Sequence, residues 1–153
     1  MTGESRADDL FLHLTPERVL EAVERAGLET RPVCYPLNSF ENRVYEVELG
    51  DRSRVVAKFY RPNRWSREQI LEEHRMLAEL ASEELPVCSP SLFPDGSSLQ
   101  EIDGVLYGLW PRSGGRAPDE VDEDLALRLG MFVGRMHNVL ARRAFELRPQ
   151  LAA

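Results

Sequence analysis

The sequence predicts an α+β fold: an antiparallel five-stranded sheet with a helix packed against it, then a hinge leading into a helical segment. Three observations carry that prediction. Three β runs follow one another between Arg31 and Tyr60, and two more lie between Leu99 and Trp110, with turn residues between them. Stretches of helical periodicity precede the first set, separate the two sets and follow the second. Between the last strand and the last helix, Pro111-Arg112-Ser113-Gly114-Gly115 breaks all regular structure.

Met1 to Asp9 is polar and expected to fray. Thr15-Pro16-Glu17 reads as an N-cap with proline at the first helical position, and Val19, Leu20, Val23 and Ala26 follow at helical spacing until Gly27 closes the helix. The first strand is placed at Arg31 to Leu37. In the second, Arg43 to Leu49, Val44, Glu46 and Glu48 alternate with Tyr45, Val47 and Leu49. Gly50-Asp51 marks a tight turn into the third, Arg54 to Tyr60, so these two should form a hairpin. Pro62 ends the third strand, Ser66 or a neighbour caps a long helix to about Glu84, and Pro86 stops it. Leu99 to Ile102, Asp103-Gly104 and Val105 to Trp110 read as a second hairpin with a two-residue turn. The last helix should run from Val121 to Phe145, with Leu125, Leu129, Phe132, Val133, Met136 and Leu140 on one side and His137 packed and hydrogen-bonded beside Val133 and Leu140.

A chain of 153 residues, 42% of them hydrophobic, is long enough to build a core. A net charge of −7 argues against a nucleic-acid partner. Cys34 and Cys88 have no metal-ligand spacing and suit a reducing compartment as small apolar residues. No apolar stretch is long enough to span a bilayer, so no membrane partner is expected and the expected location is the cytoplasm.

Among the nineteen basic residues Lys58 is the only lysine. A bias toward arginine replaces lysine wherever the two are interchangeable, and they are not where a compact ammonium must reach one point. Lys58 lies inside the apolar run Val55-Val56-Ala57-Lys58-Phe59-Tyr60. On the following helix Ile70, Leu77 and Leu80 form a stripe, and Glu73 stands on the same stripe, while Glu72 should point elsewhere into solvent. A carboxylate on a buried face needs a partner. Either Glu73 pairs with Lys58, or it lies at the edge of the stripe and reaches water.

A strand lysine paired to a helix glutamate is the arrangement with which protein kinases hold the α- and β-phosphates of ATP. The loop Asn38-Ser39-Phe40-Glu41-Asn42 joins the first two strands, where a kinase covers the phosphates. It has no glycine. A serine hydroxyl and successive backbone N–H groups can still bind phosphate, and Phe40 at the tip can close over it. The alternative is an ordinary Asn- and Ser-rich hairpin turn.

The string Tyr35-Pro36-Leu37-Asn38-Ser39-Phe40-Glu41-Asn42-Arg43-Val44-Tyr45 resembles the phosphate-loop region of the stress response kinase A family. So do Val56 to Pro62 with Arg64-Trp65, Gln69-Ile70-Leu71-Glu72-Glu73-His74, Gly114-Gly115-Arg116, and Leu129-Gly130 through Gly134-Arg135-Met136-His137. The resemblance runs from Thr15 to Pro149. It implies a cytoplasmic ATP-dependent serine/threonine protein kinase with a fold like that of aminoglycoside and choline kinases, using magnesium and associated with stress survival. It implies that Ser39 contacts ATP, beside the Phe40 read above as able to close over the site, that Lys58 holds phosphate with Glu73 as partner, and that Leu109, Trp110, Pro111 and Arg112 form a hinge whose backbone meets adenine. His74 reads as structural. The expected division is a kinase-like small lobe at 1–110, a hinge at 111–120 and the first helical segment of a large lobe at 121–153.

Such a kinase also needs a His-x-Asp loop, an asparagine shortly after it and a second metal-binding aspartate. None follows Asp124 in this chain. No catalytic residue and no metal ligand is therefore assigned here. The expectation is the N-terminal part of a longer, monomeric kinase, inactive by itself, that with ATP and Mg2+ phosphorylates a protein presenting Ser or Thr. Two alternatives stand beside it: a small-molecule kinase of the aminoglycoside or choline type, and a catalytically dead nucleotide-binding fragment.

Overall fold

Alternation along the second strand puts Val44, Glu46 and Glu48 on one sheet face and Tyr45, Val47 and Leu49 on the other. A computed structural model, which describes residues 11–143 and 145–149, shows what each face meets. The expected fraying of Met1 to Asp9 lies outside the described residues. The elements are α1 (Pro16–Glu24), β1 (Thr30–Leu37), β2 (Arg43–Leu49), β3 (Arg54–Phe59), α2 (Arg67–Ser82), β4 (Gln100–Ile102), β5 (Val105–Pro111) and α3 (Glu123–Leu140). The five strands form one antiparallel sheet in the order β1-β2-β3-β5-β4.

The β4–β5 hairpin closes as its turn residues require. Asp103 and Gly104 adopt φ of 49° and 80°, the pair of positive values that a two-residue turn of this hand needs. The β2–β3 turn is longer than the expected tight turn. It runs from Leu49 to Ser53, with the Leu49 N–H donating to the Ser53 carbonyl (2.9 Å) and Arg52 at φ 69°.

The back face of the sheet is apolar and carries α1. Val19, Ala22 and Val23 pack with Val47, Val55, Ala57, Phe59, Val105, Tyr107 and Leu109. Phe59 stacks on Tyr107 at 5.3 Å, and the Tyr107 hydroxyl donates to the Ala22 carbonyl (3.0 Å), tying β5 to α1. Burial pushes that phenol up to about 12, so it stays a neutral donor.

The front face carries α2. Ile70 packs with Tyr60, Leu99 and Trp110, flanked by Val56, Trp65, Leu71 and Leu106. Gly108 faces this side, paired with Lys58 of β3, and a Cβ there would sit 3.0 Å from the Trp110 ring and 3.1 Å from the Ser98 carbonyl. Gly108→Ala is therefore expected to cost about 1–3 kcal/mol by overpacking, read by denaturant unfolding.

The last helix departs from expectation. Asp122 caps it by accepting the Leu125 N–H (2.8 Å), and it ends at Leu140, short of the expected Phe145. Phe132, Met136, Val139 and Leu140 pack against Leu80 and Leu85, but Leu129 and Val133 remain 49% and 45% exposed. His137 is exposed, where packing was expected. The reason is geometric: α3 packs on the end of α2 and on Leu85 and Val87 just after it, and neighbours on one side cover only a narrow stripe. Cys34 is half-buried and Cys88 exposed, both as free thiols.

Candidate functional site

β3 sets Lys58 in the middle of the sheet, paired with Val44 on β2 and Gly108 on β5. Its side chain is on the front face with Val56 and Tyr60. The Lys58 Nζ lies 3.4 Å from Glu73 Oε1, 4.5 Å from the Tyr60 ring centroid and 5.6 Å from that of Trp110. A carboxylate and two aromatic faces thus surround one ammonium, and each attracts it electrostatically. Because Gly108 has no side chain, the Trp110 ring can lie across this part of the sheet.

α2 brings Glu73 to that point. Its register is set by a capping box: Ser66 Oγ accepts the Gln69 N–H (3.2 Å), and Gln69 Oε1 accepts the Ser66 N–H (2.9 Å). From that start, Ile70, His74 and Leu80 turn inward. The two glutamates are not divided as expected. Glu72 is the buried one, 7% exposed, and Glu73 is half-buried. Glu72 is covered because its carboxylate receives the backbone N–H groups of Glu146, Leu147 and Arg148. Those amides come from a segment folded back after α3, which helical periodicity within α2 says nothing about.

His74 packs behind the lysine. The Tyr60 hydroxyl lies 2.7 Å from its Nε2, the Ser98 hydroxyl 2.8 Å from its Nδ1, and its ring meets Trp110 edge-on at 5.4 Å. A neutral imidazole donates from one nitrogen and accepts at the other, so the chain Tyr60–His74–Ser98 is satisfied. Burial pushes the His74 pKa down to about 4 and the Tyr60 phenol well above its ordinary value, so both are neutral near pH 7. This chain fixes Tyr60 and Trp110, the two rings beside Lys58.

The remaining sequence candidates fall at different places. Ser39 and Phe40 are exposed at the tip of the β1–β2 loop, Phe40 completely. The loop's base is held: Asn42 Oδ1 accepts the Arg61 N–H (3.2 Å) and Glu41 pairs with Arg64 (2.7 Å). Leu109 has its side chain in the back-face core, and its carbonyl accepts the Ser91 N–H (2.7 Å). Trp110 is on the front face. The Arg112 side chain turns to Glu46, whose buried carboxylate binds Arg112 and Arg54 with one oxygen each. The Arg112 hydrogen bond holds the Glu46 pKa below the usual carboxylate range despite burial.

The structure therefore gathers Lys58, Glu73 and Trp110 and adds Tyr60, His74, Ser98, Glu72 and Arg148. Two of the additions had a local signal: Tyr60 is two residues after Lys58 on an alternating strand, and His74 is four after Ile70 on a helix. Arg148, which donates to Glu73 Oε2 from 75 positions away, had none. Among the described residues no group of three or more His, Cys, Asp or Glu could hold a metal ion.

Residues 34–152 match the phosphotransferase enzyme family, APH. Over 141 residues the chain is 40% identical to stress response kinase A of Salmonella choleraesuis and to serine/threonine protein kinase RdoA of Salmonella typhimurium, and 38% identical to stress response kinase A of Escherichia coli. Each alignment covers 92% of this chain, and the chain spans 43% of the length of those relatives. The fold is similar to that of a solved structure, amicoumacin kinase hAmiN in complex with AMP-PNP, Ca2+ and Ami, with a TM-score of 0.76 at 24% identity over 91% of this chain and 44% of that one.

Proposed function

The chain belongs to the phosphotransferase enzyme family, and from that footing we propose that it is the ATP-gripping part of a serine/threonine kinase. One observation carries the reading: Lys58 on a central strand meets Glu73 on the helix that covers the same sheet face, at 3.4 Å. In this reading the ammonium binds the α- and β-phosphates, and Glu73 fixes its direction. The pair is about a quarter exposed, so it adds little to stability; its value lies in aiming a point charge. Ser39 and the backbone amides of its loop cover the phosphates, with Phe40 above them. Trp110 borders the purine, and the backbone from Leu109 to Arg112 meets adenine. Residues 1–110 then form the small lobe, 111–120 the hinge and 121–153 the start of the large lobe.

In this reading the magnesium ligands and the catalytic base belong to parts of the enzyme other than the residues assigned here. The names of the relatives support a protein hydroxyl as acceptor. The solved neighbour, an amicoumacin kinase, favours a second reading in which the acceptor is a small molecule. Cytoplasmic location and a monomeric full-length enzyme complete the proposal.

The test is titration of AMP-PNP into the wild-type chain and Lys58→Met. Affinity is expected to fall about tenfold to a hundredfold, since hydrogen bonds to charged groups are worth about 1.5–3 kcal/mol and each factor of ten about 1.4. Equal affinity in the two proteins refutes the assignment. Phosphorylation of casein against that of aminoglycosides, measured with the full-length enzyme, separates the two acceptor classes.

A further inference from the structure

Residues 145–149, beyond α3, lie along α2 and read three of its side chains. The Glu72 carboxylate accepts the N–H groups of Glu146 (2.9 Å), Leu147 (3.2 and 3.3 Å to its two oxygens) and Arg148 (2.9 Å). Three successive amides converging on one anion form a concave nest. Gln69 Nε2 donates to the Leu147 carbonyl (2.8 Å), and Arg148 Nε donates to the Gln69 carbonyl (3.3 Å). With its backbone seated, Arg148 lays its guanidinium over Trp65, 4.3 Å from the ring centroid, and donates through Nη2 to Glu73 Oε2. The other oxygen, Oε1, is the one that faces Lys58.

One carboxylate is therefore shared between two cations, one per oxygen. Held by Lys58 alone at 3.4 Å, a half-buried glutamate can turn about its terminal torsion, which is broad. A charge-assisted bond to its second oxygen, from an arginine itself fixed by a stacked ring, removes that freedom. We infer that Arg148 is a positioning residue: it orients Glu73 and, through Glu73, Lys58, so that the segment after α3 sets the geometry of the phosphate grip. The inference rests on the proposed reading of Lys58, and it makes α2 a lever on which the two parts of the molecule act together.

The lone lysine makes this measurable. Protein labelled at the lysine side-chain nitrogen gives a single Nζ signal, that of Lys58. Arg148→Met keeps an apolar stem over Trp65 and removes the fork. It is expected to shift the Lys58 signal in the direction seen in Glu73→Gln, and to weaken AMP-PNP binding roughly threefold to thirtyfold. In a Lys58→Met background the same change should have no further effect on affinity, because it acts through the lysine. An unchanged Lys58 signal, or losses that simply add, overturns the inference. If Lys58→Met leaves AMP-PNP affinity unaltered, the nucleotide reading fails, while the lysine signal still decides for or against Arg148. Should Arg148→Met not fold, Glu72→Gln loosens the same segment with Arg148 intact, and the Lys58 signal must move there too for the inference to stand.

Discussion

Acidification from pH 7 to pH 4 is expected to remove about 3 kcal/mol of stability through His74 alone. Its ordinary pKa of 6.5 falls to about 4 in the fold, first of all because burial excludes the charged ring. Below pH 6.5 the unfolded chain takes up a proton that the folded chain refuses, so stability is full above that value and declines as the pH drops toward 4. The side chain is 2% exposed, so little solvent screening reduces the effect. Carboxylates act later. Glu46, held low by Arg112, contributes stability above 4.5 that is lost only on further acidification. Urea unfolding at closely spaced pH values separates the two ranges. His74→Gln is expected to be less stable at pH 7 and nearly flat between 6.5 and 4.5. A variant as steep as the wild type in that window would remove His74 as the cause. The consequence reaches the site, because a charged His74 can no longer accept a hydrogen bond, and Tyr60 and Trp110 beside Lys58 lose their support.

Phe59→Ala is expected to cost about 3–5 kcal/mol. The ring is fully buried, stacked on Tyr107 at 5.3 Å and edge-on to Tyr45 at 6.0 Å. Its loss leaves a cavity between β3, β5 and α1 that neighbouring strands, locked in register, cannot collapse to fill. A loss of that size consumes a large share of a typical domain's stability, so partial unfolding near 37 °C is the outcome to look for. Leu127→Ala, at a position 63% exposed on α3, serves as the comparison and should change stability by less than about 0.5 kcal/mol. Denaturant midpoints measured on both proteins decide it. Equal midpoints would mean that the back-face core is not what holds the sheet.

Local patterns made most of the fold legible. The β2 alternation, the Asp103-Gly104 turn, the Ser66 cap and the breakers Pro62 and Pro86 all act within a few residues. Each constrains backbone that is adjacent in sequence, and the strands and α2 formed within a residue or two of where those signals put them. The last helix was read too long because helical periodicity continues past Leu140, while the chain there turns back toward α2. That turn is tied down by Arg142 and Arg143, which pair with Glu83 and Glu79, and by the Glu72 carboxylate with its three distant amides.

The candidate site divides the same way. The sequence by itself determined that its one lysine stands in a strand, that a glutamate stands on the apolar stripe of the helix that follows, and that a serine-bearing loop joins the first two strands; it leaves open whether the two charges meet. Those follow from periods of two and 3.6 residues, which any short window carries. Only the tertiary structure decided that Glu72 and not its neighbour is the more deeply buried, that Tyr60, His74, Ser98 and Trp110 brace the lysine, and that Arg148 takes the second oxygen of Glu73. The hydrogen bonds among them join residues 14 to 76 positions apart. Which remote groups meet depends on how whole elements pack, and no local repeat encodes it.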